Sequence, residues 1–179
     1  MATSVPHAAP PAPVDMLLRP GEYGVGDATH RMRTVLGSCV SMTLWCPVLR
    51  IGAMSHFLLA HRVGRLADAL DARYGDEALA LMLRDLELRR VRPQQCEAKI
   101  FGGGDMFPAA RARATVAVGR RNGEAARSLL LARGITVVSE SLFGDGHRQI
   151  VFDVASGNVW SRQIPPQSEA ARPAAGPAS

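Results

Sequence analysis

Lysine is all but missing from this chain of 179 residues: Lys99 is the only one, so arginine carries nearly all of the positive charge behind a formal net charge of +5. Such a surface draws an acidic partner. The arginines are scattered rather than blocked, however, and aromatic residues make up only 5%. A stacking platform for nucleic-acid bases needs more rings, so no nucleic-acid partner is expected. Long apolar runs are missing too. None reaches the roughly 18 residues that a membrane helix needs, and Arg50 interrupts the longest candidate. The N-terminus lacks the charged start and apolar run of a signal peptide. The expectation is therefore a cytoplasmic protein that is not itself in the membrane. Cysteine is sparse: Cys39, Cys46 and Cys96 are the three. An odd number at irregular spacing is no disulfide framework, and without a C-x-x-C pair neither a zinc ribbon nor a thioredoxin-type site is expected. Free thiols suit a reducing compartment.

What is present is enough for one domain with a real core, since 47% of residues are apolar. Residues 1–18 and 165–179 are rich in Ala and Pro. They cannot bury enough surface to fold, and are expected to be disordered tails around a single domain at 19–164. Within it, Val40, Met42, Leu44 and Cys46 alternate with Ser41, Thr43 and Trp45, a strand pattern. Pro47 marks a turn, and Ile51 to Leu59 reads as the returning strand of a hairpin. Leu66, Leu70, Tyr74, Ala78, Leu81, Met82 and Leu86 recur at helical spacing across 65–91, with Gly75 a point where the stretch can break. Residues 97–101 read as a strand leading into Gly102-Gly103-Gly104, itself read as a tight turn. Asn122 reads as the N-cap of a helix over 123–133 that stops at Gly134. Residues 135–139, 149–154 and 158–162 read as strands, the last two joined by a turn at Ala155-Ser156-Gly157. Strands outnumber helices and the hairpins are local, so the fold class expected is α/β (α+β), a mostly antiparallel α/β sandwich.

The chemistry concentrates at Leu36-Gly37-Ser38-Cys39-Val40, with His56 on the returning strand. A thiol and an imidazole on one face of a sheet are the smallest set that makes a cysteine nucleophile. With Pro47 at the second position of a type I turn, Cys46-Pro47-Val48-Leu49, Cys39 would lie directly opposite His56. Gly37 suits a sharp turn into the strand, and backbone N–H groups at Gly37 and Ser38 could hold an oxyanion. A neighbouring imidazole would help keep Cys39 as thiolate. On residues alone the bland alternatives stay open: a buried cysteine is usually an inert small hydrophobe, and a histidine on a strand is usually just hydrogen-bonded. Zinc is disfavoured, because Cys39 and Cys46 are seven residues apart and on one strand point to opposite faces.

These lines, together with Ile51-Gly52-Ala53-Met54-Ser55-His56-Phe57-Leu58-Leu59, resemble the CheD family of bacterial chemoreceptor glutamine deamidases. The resemblance extends to Gly21-Glu22-Tyr23, to the K-x-x-G-G-x-x-M-F-like segment Glu97–Phe107, and to the I-G-x-x-N-like segment Val118-Gly119-Arg120-Arg121-Asn122. It implies a sandwich related to deamidase toxins. It further implies hydrolysis of particular glutamine side chains in methyl-accepting chemotaxis receptors through a cysteine thioester. Cys39 would be the nucleophile and His56 the base, with no metal and no organic cofactor. It also implies, as an alternative or additional role, an adaptor that binds receptors or a CheC-type phosphatase. Peptide cleavage or acyl transfer is a weaker reading. Two departures stand out. The family often has a threonine a few residues before the nucleophile; here Arg33 occupies that place and Thr34, its neighbour, is the candidate third member. Around Phe143-Gly144-Asp145-Gly146-His147-Arg148 the family more often has two adjacent glycines, and Phe143 replaces one.

Overall fold

Met32, Thr34 and Leu36 alternate with Arg31, Arg33 and Val35, and that alternation sorts one strand between a core and solvent. The structure, a computed structural model, describes residues 12–64, 69–106 and 113–166, and of 113–117 the backbone alone. Strands β1 (Val14–Leu17), β3 (His30–Leu36), β8 (His147–Asp153) and β9 (Val159–Ile164) form one sheet in the order β1-β3-β8-β9. Strands β2 (Tyr23–Gly26), β4 (Val40–Cys46), β5 (Ile51–Ser55), β6 (Glu97–Gly102) and β7 (Thr136–Leu142) form the other, in the order β2-β5-β4-β6-β7. Among the strand pairs of the described residues, only β1/β3 and β6/β7 run parallel. The mostly antiparallel α/β sandwich read from the sequence is what the chain forms.

Two apolar layers hold it together. Met32, Leu36, Ile150 and Phe152 from the first sheet meet Met54 and Phe101 from the second. On the other face of the second sheet, Val40, Met42, Leu44, Ala53, Phe57 and Ile100 pack beneath helices α1 (Gly75–Leu88) and α2 (Arg113–Ala132). Each large side chain buried in such a layer contributes roughly 1.5–3 kcal/mol. Helix α1 presents Ala78, Leu79, Met82 and Leu86 inward and carries Asp76 and Glu77 in its first turn, where the helix dipole favours negative charge. Gly75 begins this helix rather than interrupting it, and residues 65–68 of the expected helical stretch lie outside the described residues. Among the described residues no helix is long and apolar enough to cross a membrane.

Several expectations need correcting. The β4–β5 turn is longer than the tight turn expected at Pro47: Cys46 pairs with Ile51, so the connection is the four residues Pro47–Arg50, with Arg50 in the left-handed region (φ 49). Helix α2 begins well before Asn122, which is therefore not an N-cap but a buried residue in the helix interior. Val14–Leu17, inside the stretch read as the N-terminal tail, form β1 alongside β3. Residues 1–11 and 167–179 lie outside the described residues.

Candidate functional site

The longer turn shifts the β4–β5 register by two residues. Val40 exchanges both backbone hydrogen bonds with Phe57, so Cys39 does not lie directly opposite His56 as expected. Because side chains alternate with period two, a two-residue slip preserves the face. Val40 and Phe57 point to the helix side. Their neighbours Cys39 and His56 consequently share the layer between the sheets, where Cys39 packs against the cluster that contains Leu36, Met54 and Phe101. Cys46 points the other way, into the helix-side core.

The opposing sheet delivers the third group. Thr34 on β3 is buried, and its Oγ1 lies 2.7 Å from His56 Nδ1 and 2.7 Å from the Leu18 carbonyl oxygen. A threonine hydroxyl has one proton. Given to the Leu18 carbonyl, it leaves Oγ1 as acceptor, so the ring must donate from Nδ1–H and Nε2 is left as its basic nitrogen. The structure thus joins Thr34, the candidate third member, to His56, while Arg33 faces solvent. The main chain at His56 is fixed as well: its N–H donates to Glu22 O at 2.8 Å, and its carbonyl accepts from Gly21 N–H at 2.7 Å.

Electrostatics modify the expected thiolate. Burial pulls the His56 imidazole from its ordinary 6.5 down to about 4, against smaller pulls upward from the Leu18 carbonyl and the Glu22 charge. Burial also pushes the Cys39 thiol up, and its own backbone N–H only partly offsets this. Both shifts favour a neutral thiol and a neutral imidazole over an ion pair. His56 would then act by taking the thiol proton as the sulfur attacks.

The turn before Cys39 is clamped from behind by the glycine loop, which does more than end a strand. The carbonyls of Gly37 and Cys39 accept from Gly104 N–H (2.9 Å) and Gly103 N–H (2.8 Å). Gly102 has φ 113, and a Cβ there would press on the Cys39 carbonyl. Helix α2 closes over the loop: a Cβ on Gly119 would come within 2.6 Å of Gly103 O. One turn further on, Asn122 Nδ2 donates to Ser38 O (3.2 Å) and Leu58 O (2.7 Å). Sequence reasoning gave Asn122 only a capping role; its spacing of three from Gly119, on one helix face, was the available signal. Phe143 takes the left-handed backbone (φ 67) in place of a glycine, its N–H bonded to Gly102 O at 2.8 Å and its ring beneath Arg120 and Arg127. Buried Arg148 holds the same corner through Gly102 O, Phe143 O and Gln163 Oε1.

Known proteins resemble this chain along most of its length. A family profile described as CheD chemotactic sensory transduction matches residues 58–163. A probable chemoreceptor glutamine deamidase CheD 2 of Albidiferax ferrireducens is 59% identical over 155 residues, covering 86% of this chain and 90% of that protein. A probable chemoreceptor glutamine deamidase CheD 1 of Chromobacterium violaceum is 39% identical over 168 residues (90% of this chain, 87% of that protein). One from Dechloromonas aromatica, CheD 3, is 41% identical over 153 residues (86% and 89%). The profile match begins just after His56, whereas matches as long as those to the individual relatives span Thr34, Cys39 and His56.

Proposed function

The chain belongs to the CheD family, and from that premise we propose that it is a protein-glutamine deamidase. It acts in the cytoplasm and hydrolyses side-chain amides of specific glutamines in methyl-accepting chemotaxis receptors. The observation that carries the residue assignment is the Thr34–His56 contact across the two sheets, on the face that also bears Cys39. That contact fixes the tautomer that leaves Nε2 basic, as a general base requires, and it does so on the face that carries the only part-exposed thiol among the described residues.

The reaction proceeds in two halves. His56 Nε2 takes the Cys39 thiol proton while the sulfur forms a C–S bond to the glutamine amide carbon. The carbonyl electrons move to oxygen, held by backbone N–H groups at the Gly37-Ser38-Cys39 turn. Collapse breaks the C–N bond, and His56 returns its proton to the departing nitrogen, giving ammonia and a thioester. Water then gives a proton to His56 and adds to the thioester. Cleavage of the C–S bond releases glutamate, and sulfur recovers the proton. Thr34 holds the ring through both halves, and no step needs a metal or organic cofactor.

The test is peptide mass spectrometry of chemoreceptors from cells with and without this protein. Glutamines that become glutamate only in its presence support the deamidase. Unchanged glutamines together with altered signalling would replace it with a non-catalytic adaptor for receptors or for a CheC-type phosphatase.

A further inference from the structure

Asn122 is almost wholly buried at 1% exposure, yet it lies in the interior of a helix whose neighbouring inward positions, Gly119, Gly123 and Ala126, are small or apolar. A buried amide needs a reason, since unsatisfied it would cost on the order of 1–3 kcal/mol. Its two protons go to two carbonyls that the sheet ladder leaves open, Ser38 O at 3.2 Å and Leu58 O at 2.7 Å. One belongs to the peptide bond that enters Cys39, and the other lies two residues past His56. Both acceptors are carbonyls, so only the NH2 end of the side chain can face them.

The ladder is weak at this point. Between the Thr43–Met54 and Val40–Phe57 pairs the register skips Met42 and Ser55, where Ser55 Oγ accepts from Met42 N–H (3.2 Å). The turn ahead of Cys39 is consequently fixed from outside the hairpin, by three successive carbonyls. Gly37 O and Cys39 O are taken by the glycine loop, and Ser38 O by Asn122. A trans peptide is planar, with its N–H pointing opposite to its C=O. Fixing the Ser38 carbonyl toward α2 therefore turns the Cys39 N–H the other way, away from the helix and into the layer between the sheets that holds the Cys39 side chain, where this N–H bonds its own sulfur.

We infer that Asn122 is a positioning residue: by holding the Ser38 carbonyl it aims the Cys39 N–H at the sulfur and at the oxyanion, and by holding the Leu58 carbonyl it keeps the base's strand in step. The oxyanion half of this role rests on the deamidase reading above; the orientation of the thiol's own amide does not.

Two variants test it. Asn122→Asp keeps the shape and, when ionised, has no proton to give; Asn122→Ala removes both donors. With a chemoreceptor cytoplasmic fragment as substrate, kcat is expected to fall about 10- to 100-fold while KM stays within about twofold. Alkylation of Cys39 by iodoacetamide is expected to move to higher pH in both variants. In Asn122→Asp the effect should lessen on acidification, as the protonated acid regains one donor. Thermal melts establish that the variants are folded. If Asn122→Ala does not fold, Asn122→Asp with its carboxylate ionised, compared with the same variant on acidification, supplies the folded test. A folded variant with wild-type kcat, or one whose alkylation profile superimposes on that of the wild type, overturns the inference. Failure of the deamidase reading would look different: no ammonia from the wild type, with the alkylation shift still present.

Discussion

Thr34 Oγ1 sits 2.7 Å from His56 Nδ1, a bond that crosses from one sheet of the sandwich to the other. Its proton already belongs to the Leu18 carbonyl, also at 2.7 Å. The hydroxyl therefore acts as an acceptor toward the ring and dictates which ring nitrogen is basic. Thr34→Val is expected to lower kcat for ammonia release about 10- to 100-fold. It should also destabilise the fold by about 1–3 kcal/mol, because the Leu18 carbonyl loses its donor. Thr34→Ser, which keeps the hydroxyl, should recover most of both. Steady-state kinetics and thermal melts of the two variants check this, and full activity in Thr34→Val would remove the threonine from the site.

The burial of His56 has a pH signature. The ring has a pKa of about 4 when folded against 6.5 ordinarily. As pH falls below 6.5 the unfolded chain takes up a proton that the folded chain refuses. Stability tied to this group is complete above about pH 6.5 and is lost as pH drops toward 4, on the order of 3 kcal/mol across that window. Urea unfolding at pH 5 and 7.5 should show the loss in the wild type and a smaller one in His56→Gln. The acid limb of kcat/KM should likewise sit at about 4 rather than 6.5; a limb at 6.5 would place the ring in a wetter setting than the structure gives it.

The three thiols should differ sharply in reactivity. Burial and the neighbouring Cys46 push Cys96 up to about 12, and Cys46 and Cys96 are both in the helix-side core. Cys39 is part-exposed at the sheet end. Iodoacetamide treatment of the native protein should label Cys39 alone, read by peptide mapping, with the other two labelled only after denaturation.

Much of the architecture was legible because it is local. The β4, β6, β8 and β9 strands announce themselves by alternation or by their turns, and Gly134 and Gly157 carry the positive φ that their helix stop and hairpin need. What escaped is non-local. Strand β1 is four mostly exposed residues in a Pro-rich stretch, and it exists because β3 offers a parallel edge. Strand β3 did carry its own signal, Met32, Thr34 and Leu36 on one face, and reading it would have put Thr34 inward and Arg33 outward. The β4–β5 register escaped for another reason: the turn closes through Arg50 at φ 49, a conformation that sequence rules assign to Gly or Asn. The Cys39–His56 face survived that error only because the slip was an even number of residues.

The packing of α2 on the glycine loop makes a steric prediction. Gly119→Ala would set a Cβ 2.6 Å from Gly103 O and 2.9 Å from Gly103 C, both main-chain atoms with little room to retreat. A cost of about 1–3 kcal/mol in stability is expected, with a loss of kcat as the loop behind Cys39 shifts. Denaturant unfolding and kinetics of the variant read both; an unperturbed midpoint would show that the helix and loop are further apart than the structure has them.

The measurement that bears most directly on the whole account is intact-mass analysis of a chemoreceptor cytoplasmic fragment incubated with wild-type protein and with Cys39→Ala. The wild type should add about one mass unit per converted glutamine, the difference between an amide and an acid, and Cys39→Ala should add nothing while melting like the wild type. Conversion of the same glutamines by a folded Cys39→Ala protein would contradict it.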